Sequence, residues 1–313
     1  MTTAFYLPAQ CQEHDMGPHH PECPQRLQAI ADLMHTTGLD QRVLRSQSPP
    51  AQLHHLLAAH APAYVDDILA KMQRSQAQSR PDAVDPDTFI SPGTWAAALH
   101  AAGAAIHATD AVIGGQVDNA FCAVRPPGHH ACHDKAMGFC FFNNAVVAAR
   151  HALQAHGLKR VAIIDFDVHH GNGTENIVAH DERILMCGIF QHPLYPYSGE
   201  HPLGPQMVNV PVDPYTRGPA IRELIQKHWA PAVEAFAPEL FVVSAGFDAH
   251  REDTLGQLGL EEDDYAWITQ RIMQWAQRHA QGRIVSCLEG GYHLGALARS
   301  VCAHVRVLAG DPK

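Results

Sequence analysis

Short apolar runs alternate along this chain with longer segments whose apolar positions recur at helical spacing. Five runs, at residues 120–124, 161–166, 184–189, 240–244 and 284–288, are rich in Val, Ile and Phe. Strands apolar on both faces belong to a parallel sheet covered by helices on either side. The intervening segments supply those helices, at residues 143–157, 219–236, 262–280 and 293–308. Ser91 followed by Pro92 reads as an N-cap with proline at the first helical position, opening an Ala-rich helix. No internal repeat is visible. The stretch 73–87, rich in Gln, Ser, Asp and Pro, reads as a surface loop or part of a substrate rim.

At 313 residues the chain is short enough to form one α/β domain, taken here as 1–313. Hydrophobic residues at 46% and charged residues at 17% give an ordinary globular balance and argue against long disordered segments. A net charge of -10 with no basic block removes the footprint of a nucleic-acid binder and suits a cationic substrate. The start, MTTAFYLPAQCQEHD, lacks the basic and apolar parts of an export signal, so a cytoplasmic location is expected. His100, His107 and Asp110 interrupt the most apolar long stretch, 95–114, which therefore reads as a buried helix and not a membrane span. The eight cysteines include no C-x-x-C pair, so they are expected to be reduced core thiols.

Open α/β sheets hold their ligands beyond the carboxyl ends of the strands. Four of the five runs end in chemically able residues: RPPGHHA at 125–131, DFDVHHGNG at 165–173, SAGFDAH at 244–250 and LEGGYH at 288–293. Asp165, Asp167 and His169 alternate, so an extended backbone would point all three to one face. Asp167 and His169, joined by Asp248 from another strand, supply three ligands and leave positions open, as a catalytic zinc requires. Such oxygen-rich ligation also admits Fe2+, Co2+ or Mn2+. His170 and Gly171 stand where a bridged second metal would want a carboxylate, so one catalytic ion is expected.

The adjacent His129 and His130 have the pKa range for moving protons in amide hydrolysis. Tyr292, after two glycines, has a phenol that can donate to a developing oxyanion. The H-E-x-x-H, phosphate-loop and G-x-S-x-G motifs are absent, the last because Val242 occupies the first glycine position.

These motifs, together with HDMGPHHPECPQRL at 14–27, GFCFFNNAV at 138–146 and LYPYSGE at 194–200, resemble the histone deacetylase family along nearly the whole chain. The likeness is greatest to its class II and bacterial acetylpolyamine amidohydrolase-like members. The resemblance implies a three-layer α/β/α fold of the arginase-deacetylase type with a mostly parallel sheet. It further implies that Asp167, His169 and Asp248 bind Zn2+, that His130 shuttles the proton and that Tyr292 stabilises the oxyanion. Asp165 would orient His129, and Asn172, an Asp in class I relatives, would hold His130. Gly138, Phe139 and Tyr195 would wall an acyl channel; Leu255 stands where polyamine-selective relatives carry a gatekeeper glutamate. His20 and Asp15 could shape the entrance, while Asp15 and Glu22 read equally well as solvated loop residues.

A potassium ion near Asp165 and the main chain of Asp167 and His169 is also implied, although Gly188 replaces a serine that helps ligate it. The expected substrates are acylated lysine in peptides or proteins, or acetylated small amines including polyamines. Oligomeric state is left open. Two rival readings are a non-catalytic binder of acylated ligands and a metal-independent hydrolase using Ser244.

Overall fold

The computed structural model describes residues 1–311, so the last two positions of the expected 1–313 domain lie outside the described residues. The five expected strands are present as β5 (Asn119–Cys122), β6 (Val161–Asp165), β7 (Ile184–Gln191), β9 (Leu240–Ala245) and β10 (Ile284–Leu288), counting in chain order. Three more join them: β1 (Thr3–Tyr6), β2 (Leu44–Ser46) and β8 (Met207–Val212). All eight form one sheet in the order β2-β1-β5-β10-β9-β6-β7-β8. Every neighbouring pair in it is parallel.

Helices cover both faces, giving the expected three layers. One layer holds α4 (Thr94–Ile113) and α5 (Asn144–Ala155), which pack on each other and on β5, β6, β9 and β10. On the opposite side α1 (Gln25–Thr36), α8 (Glu262–His279) and α9 (Leu294–Leu308) pack together, and α7 (Gly218–Phe236) covers β7 and β8. Helices α2 (Leu53–Leu57), α3 (Pro62–Gln78) and α6 (Asn172–Val178) flank the first layer. Helix α4 has the length and hydropathy of a membrane span, but 67% of its apolar window is buried inside the protein. That burial agrees with its reading as a core helix.

Two local expectations are corrected. Helix α4 begins at Thr94 with Gly93 as N-cap, because Thr94 Oγ1 takes the Ser91 N–H at 2.7 Å and closes residues 91–94 into a turn before the helix. The stretch 73–87 is mostly structured: α3 runs on to Gln78, and β3 (Asp82–Asp85) pairs antiparallel with β4 (Thr88–Ile90) in a hairpin.

Strand register places the chemistry. One rung of the sheet runs Asp165–Ser244–Cys287–Cys122 across β6, β9, β10 and β5. The segments after these four strands therefore leave the sheet at the same level, and all four polar motifs meet above its centre.

Candidate active site

Asp165 is the last residue of β6, and there the backbone bends instead of continuing extended. The bend is fixed by carboxylates that capture amides two residues on: Asp165 Oδ1 takes the Asp167 N–H at 3.1 Å, and Asp167 Oδ1 takes the His169 N–H at 2.9 Å. The expected single face is thereby corrected. Asp165 turns toward His129, while Asp167 and His169 turn together toward Asp248.

His169 Nδ1 lies 3.0 Å from Asp167 Oδ1 and 3.1 Å from Asp248 Oδ2, and all three residues are buried. Backbone amides pin the carboxylates, with Gly290 N–H on Asp167 Oδ2 at 2.8 Å and Val168 N–H on Asp248 Oδ1 at 2.9 Å. A Cβ at Gly290 would stand 2.0 Å from Asp248 Oδ2, and one at Gly246 would stand 2.0 Å from Asp167 Oδ2. These two positions must therefore be glycine for the carboxylates to converge.

Burial pushes the Asp248 carboxyl up to about 7, with the neighbouring Asp167 adding to the rise. Burial opposes the charge on His169, yet its hydrogen bonds to Asp167 and Asp248 carry it up to about 10. Two desolvated carboxylates facing one imidazole call for positive charge between them. Ligand atoms held by bonds of about 2.0–2.2 Å around a tetrahedral ion sit roughly 3.3 Å apart. The donor set and its spacing fit a divalent metal.

His129 and His130 stand in contrasting environments although their ring centroids are only 4.0 Å apart. His129 Nδ1 is 3.0 Å from Asp165 Oδ2 and its Nε2 is 3.8 Å from Asp167 Oδ2. Burial works against its charge, but Asp167 and Asp165 raise its pKa well above the ordinary value. His130 Nδ1 is 2.7 Å from Asn172 Oδ1, a neutral partner. Burial, then repulsion from His129 and His169, lowers the His130 pKa far below its ordinary value. The Asn172 amide nitrogen faces Cys132 Sγ and Met137 Sδ, which assigns the oxygen to His130 and the ring proton to Nδ1. His130 Nε2 is thus left as a proton acceptor.

A pocket of about 220 Å³ opens above these groups, lined by Asp87, His130, Gly138, Phe139, His169, Leu194, Tyr195, Leu255 and Tyr292. All four residues expected to contact substrate line it. Phe139 and Tyr292 meet edge to face at 5.7 Å, and Tyr195 stands 5.3 Å from His130. Gly138 and Phe139 both take positive φ, at 56° and 69°. Thr88 Oγ1 in the hairpin holds the Phe139 N–H at 2.9 Å. Burial, then the nearby Asp248, raises the Tyr292 pKa well above its ordinary value, so the phenol keeps its proton.

Several supporting residues escaped the sequence reading. Glu22 is fully buried, forming ion pairs with Arg26 and Arg125, which overturns its reading as a solvated loop residue; Asp15 is exposed. Arg26 in turn donates to the Gly291 carbonyl at 2.6 Å and the Glu289 carbonyl at 2.5 Å, with its guanidinium 5.0 Å from the Tyr292 ring centre. Glu289 accepts the N–H groups of Gly128 and His129 at 2.6 and 3.1 Å. Asp87, in the hairpin turn, puts a carboxylate at the pocket. His20 packs on Phe139 at 4.7 Å.

Ser244 is fully buried and donates to Glu289 Oε1 at 3.2 Å, away from the pocket lining, which removes the basis for a serine nucleophile. Gly188 pairs with Asp165 across β6 and β7, so it offers no side-chain oxygen to a potassium ion there.

Comparison with known proteins agrees with this geometry. The model of the histone deacetylase domain matches residues 20–308. The chain is 36% identical over 314 residues to a histone deacetylase-like amidohydrolase of Pseudomonas aeruginosa, covering 93% of this chain and 81% of that protein. It is 37% identical to the polyamine deacetylase HDAC10 of Homo sapiens over 93% of this chain and 46% of that protein. The solved HDA15 HD domain superposes with a TM-score of 0.91 at 33% identity, covering 99% of this chain and 88% of that one.

Proposed function

The chain belongs to the histone deacetylase family, hydrolases of amide bonds, and from that premise we propose that it removes acetyl or related acyl groups from lysine side chains or small amines, using one Zn2+. The observation that carries this reading is that His130, Tyr292 and His169 line one pocket, with Asp167 and Asp248 clustered behind His169. Asp167, His169 and Asp248 would hold the metal, which when bound supplies Lewis-acid polarisation of the acyl carbonyl and lowers the pKa of water. Fe2+ or Co2+ suits the same oxygen-rich set. A potassium ion beside Asp165 would have to be completed without a side chain at position 188.

The protein's own groups account for the proton movements. His130, neutral at physiological pH, takes a proton on Nε2 as the water oxygen bonds to the acyl carbon. His129, held charged by Asp165 and Asp167, keeps the His130 pKa low, so the proton passes on readily to the amine as the C–N bond breaks. Tyr292 donates its O–H to the developing oxyanion, a contact worth on the order of 3 kcal/mol. Phe139 and Tyr195 flank the acyl-bearing chain, whose end remote from the scissile amide would lie toward Asp87 and Leu255. The net charge of -10 and the Asp87 carboxylate both favour a cationic substrate.

The alternative substrate within this class is an acetylpolyamine or another small amide. We further infer one catalytic domain over the whole chain and a cytoplasmic location, where the eight free cysteines would stay reduced. The test is hydrolysis of an acetyl-lysine peptide beside acetylputrescine, each with and without a zinc-chelating hydroxamate. Hydroxamate-sensitive turnover, lowered about 100-fold or more in Tyr292→Phe at unchanged metal content, supports the reading. A protein that binds acylated peptide, with zinc held by Asp167, His169 and Asp248 and no turnover, would instead be an acyl-ligand binder.

A further inference from the structure

A second convergence of ligand atoms lies at the end of the sheet opposite the pocket. Helix α4 carries Asp110 in its last turn, and α5 carries His151 near its end and His156 as its C-cap. Asp110 Oδ1 lies 2.7 Å from Nε2 of His151 and 2.7 Å from Nε2 of His156. The two imidazoles stand at 81° with centroids 5.4 Å apart, so both rings aim one nitrogen at a single point. His151 is mostly buried, and His156 and Asp110 are partly exposed.

The surroundings favour a cation there. Two helix C-termini, those of α4 and α5, bring partial negative charge to the same place. A cleft of about 210 Å³, lined by His54, His55, Val147 and His151 among others, opens beside His151. His55 stands 5.4 Å from the His151 ring, but its Nδ1 already accepts the Gln52 N–H at 3.1 Å, so it is a neighbour and not a ligand. Three protein ligands leave a further position for water.

We propose that Asp110, His151 and His156 form a second metal site that takes a divalent transition ion such as Zn2+ and clamps the C-terminal ends of α4 and α5 together. Two imidazoles and one carboxylate select such ions over Mg2+ and Ca2+, which prefer all-oxygen shells. Ligand atoms around tetrahedral zinc sit about 3.3 Å apart, so the present 2.7 Å contacts need open by only about 0.6 Å, in side chains with solvent on one side. On binding, the ion replaces the protons that the two rings now share with Asp110. This site stands on its own observations, whatever substrate the pocket takes.

The test is zinc stoichiometry on metal-stripped, refilled protein, measured by elemental analysis after equilibrium dialysis. Two zinc ions per chain are expected for the wild type, one for the double variant H151A/H156A, and one for D167A/D248A. Turnover by H151A/H156A should stay within about twofold of wild type, and its loss would overturn the separation of this site from the pocket. In D167A/D248A, zinc at about 100 times its dissociation constant should raise the unfolding midpoint by roughly 5 °C. One ion per chain in the wild type, or two in H151A/H156A, would overturn the proposal. If H151A/H156A does not fold, Asp110→Asn added to D167A/D248A serves instead, and an undiminished zinc-dependent rise would have the same consequence.

Discussion

Asp253 Oδ2 accepts the backbone N–H of Tyr292 at 2.6 Å. The same Oδ2 takes the N–H of His293 at 3.0 Å and Oδ1 takes that of Leu255 at 3.0 Å, so one side chain ties Tyr292, the proposed oxyanion donor, to Leu255 across the pocket lining. Tyr292 follows two glycines, one at φ 119°, so its placement leans on the bonds that fix the backbone around it. A misplacement of about 1 Å at a reacting group typically costs on the order of 100-fold in rate. Asp253→Ala should therefore lower kcat by roughly 10- to 100-fold at unchanged zinc content. Asp253→Asn, whose single amide oxygen can still accept the Tyr292 and His293 N–H groups while its NH2 takes the place of the Oδ1 that held Leu255, should recover part of the loss. Equal losses in both variants would remove the positioning role.

Gly138 tests the pocket wall. Its φ of 56° is one that side chains rarely adopt, and a Cβ there would stand 2.5 Å from Cδ2 of His130. The His130 ring cannot give way without losing its 2.7 Å bond to Asn172. Gly138→Ala is expected to cost about 1–2 kcal/mol of stability and on the order of 100-fold in kcat, with KM less affected. Steady-state kinetics with chemical unfolding separates the two effects, and kcat near the wild-type value would show that the ring tolerates the shift.

The central sheet was legible because β5, β6, β7, β9 and β10 are buried on both faces and spell that burial in Val, Ile and Phe. The strands that escaped lie toward the edges or are short. β8 includes Pro211, which an edge strand tolerates and a central strand does not, and β2 exposes Leu44 and Arg45. The cluster of candidate metal ligands and the His129–His130 pair was legible because these residues lie just past strand ends. Glu22 was not, since its partner Arg125 is 103 residues away and a lone loop carboxylate gives no sign of burial. Asp253 was hidden for the same reason, acting through backbone geometry that only the fold creates, whereas Asp87 closes the stretch 73–87 whose alternative reading was a substrate rim, and it does line the pocket. The bend after Asp165 also lay beyond a pattern argument, because side chains capturing their own backbone override the alternation of an extended strand.

Leu255 offers a handle on substrate choice. It lines the pocket with Asp87, and its backbone is fixed by Asp253, so a new side chain there should project into the same space. A carboxylate at this point would add attraction for a second positive charge on a polyamine while giving little to an uncharged peptide flank. Leu255→Glu should raise the ratio of kcat/KM for acetylpolyamine over acetyl-lysine peptide by about tenfold, and added salt should erode the gain. A ratio unchanged at low salt would place selectivity elsewhere in the rim.

Glu22 gives the fold a pH-dependent brace. Burial alone would raise its pKa, but Arg125, then His14 and Arg26, hold it down to about 2, against an ordinary 4.5. A carboxylate with a depressed folded-state pKa contributes stability that is fully present above its unfolded value and is lost as pH falls toward the folded one. The window is therefore about pH 4.5 down to 2, and the contribution is on the order of 3 kcal/mol. Glu22→Gln leaves the Arg26 and Arg125 guanidiniums buried without their counter-ion, so it should cost roughly 3–5 kcal/mol at neutral pH. Urea unfolding from pH 7 to pH 3 should show the gap between wild type and variant constant down to about pH 4.5 and narrowing below it. A gap that stayed constant through pH 3 would mean that the charge on Glu22 does not brace the fold, and that the variant's loss comes from packing alone.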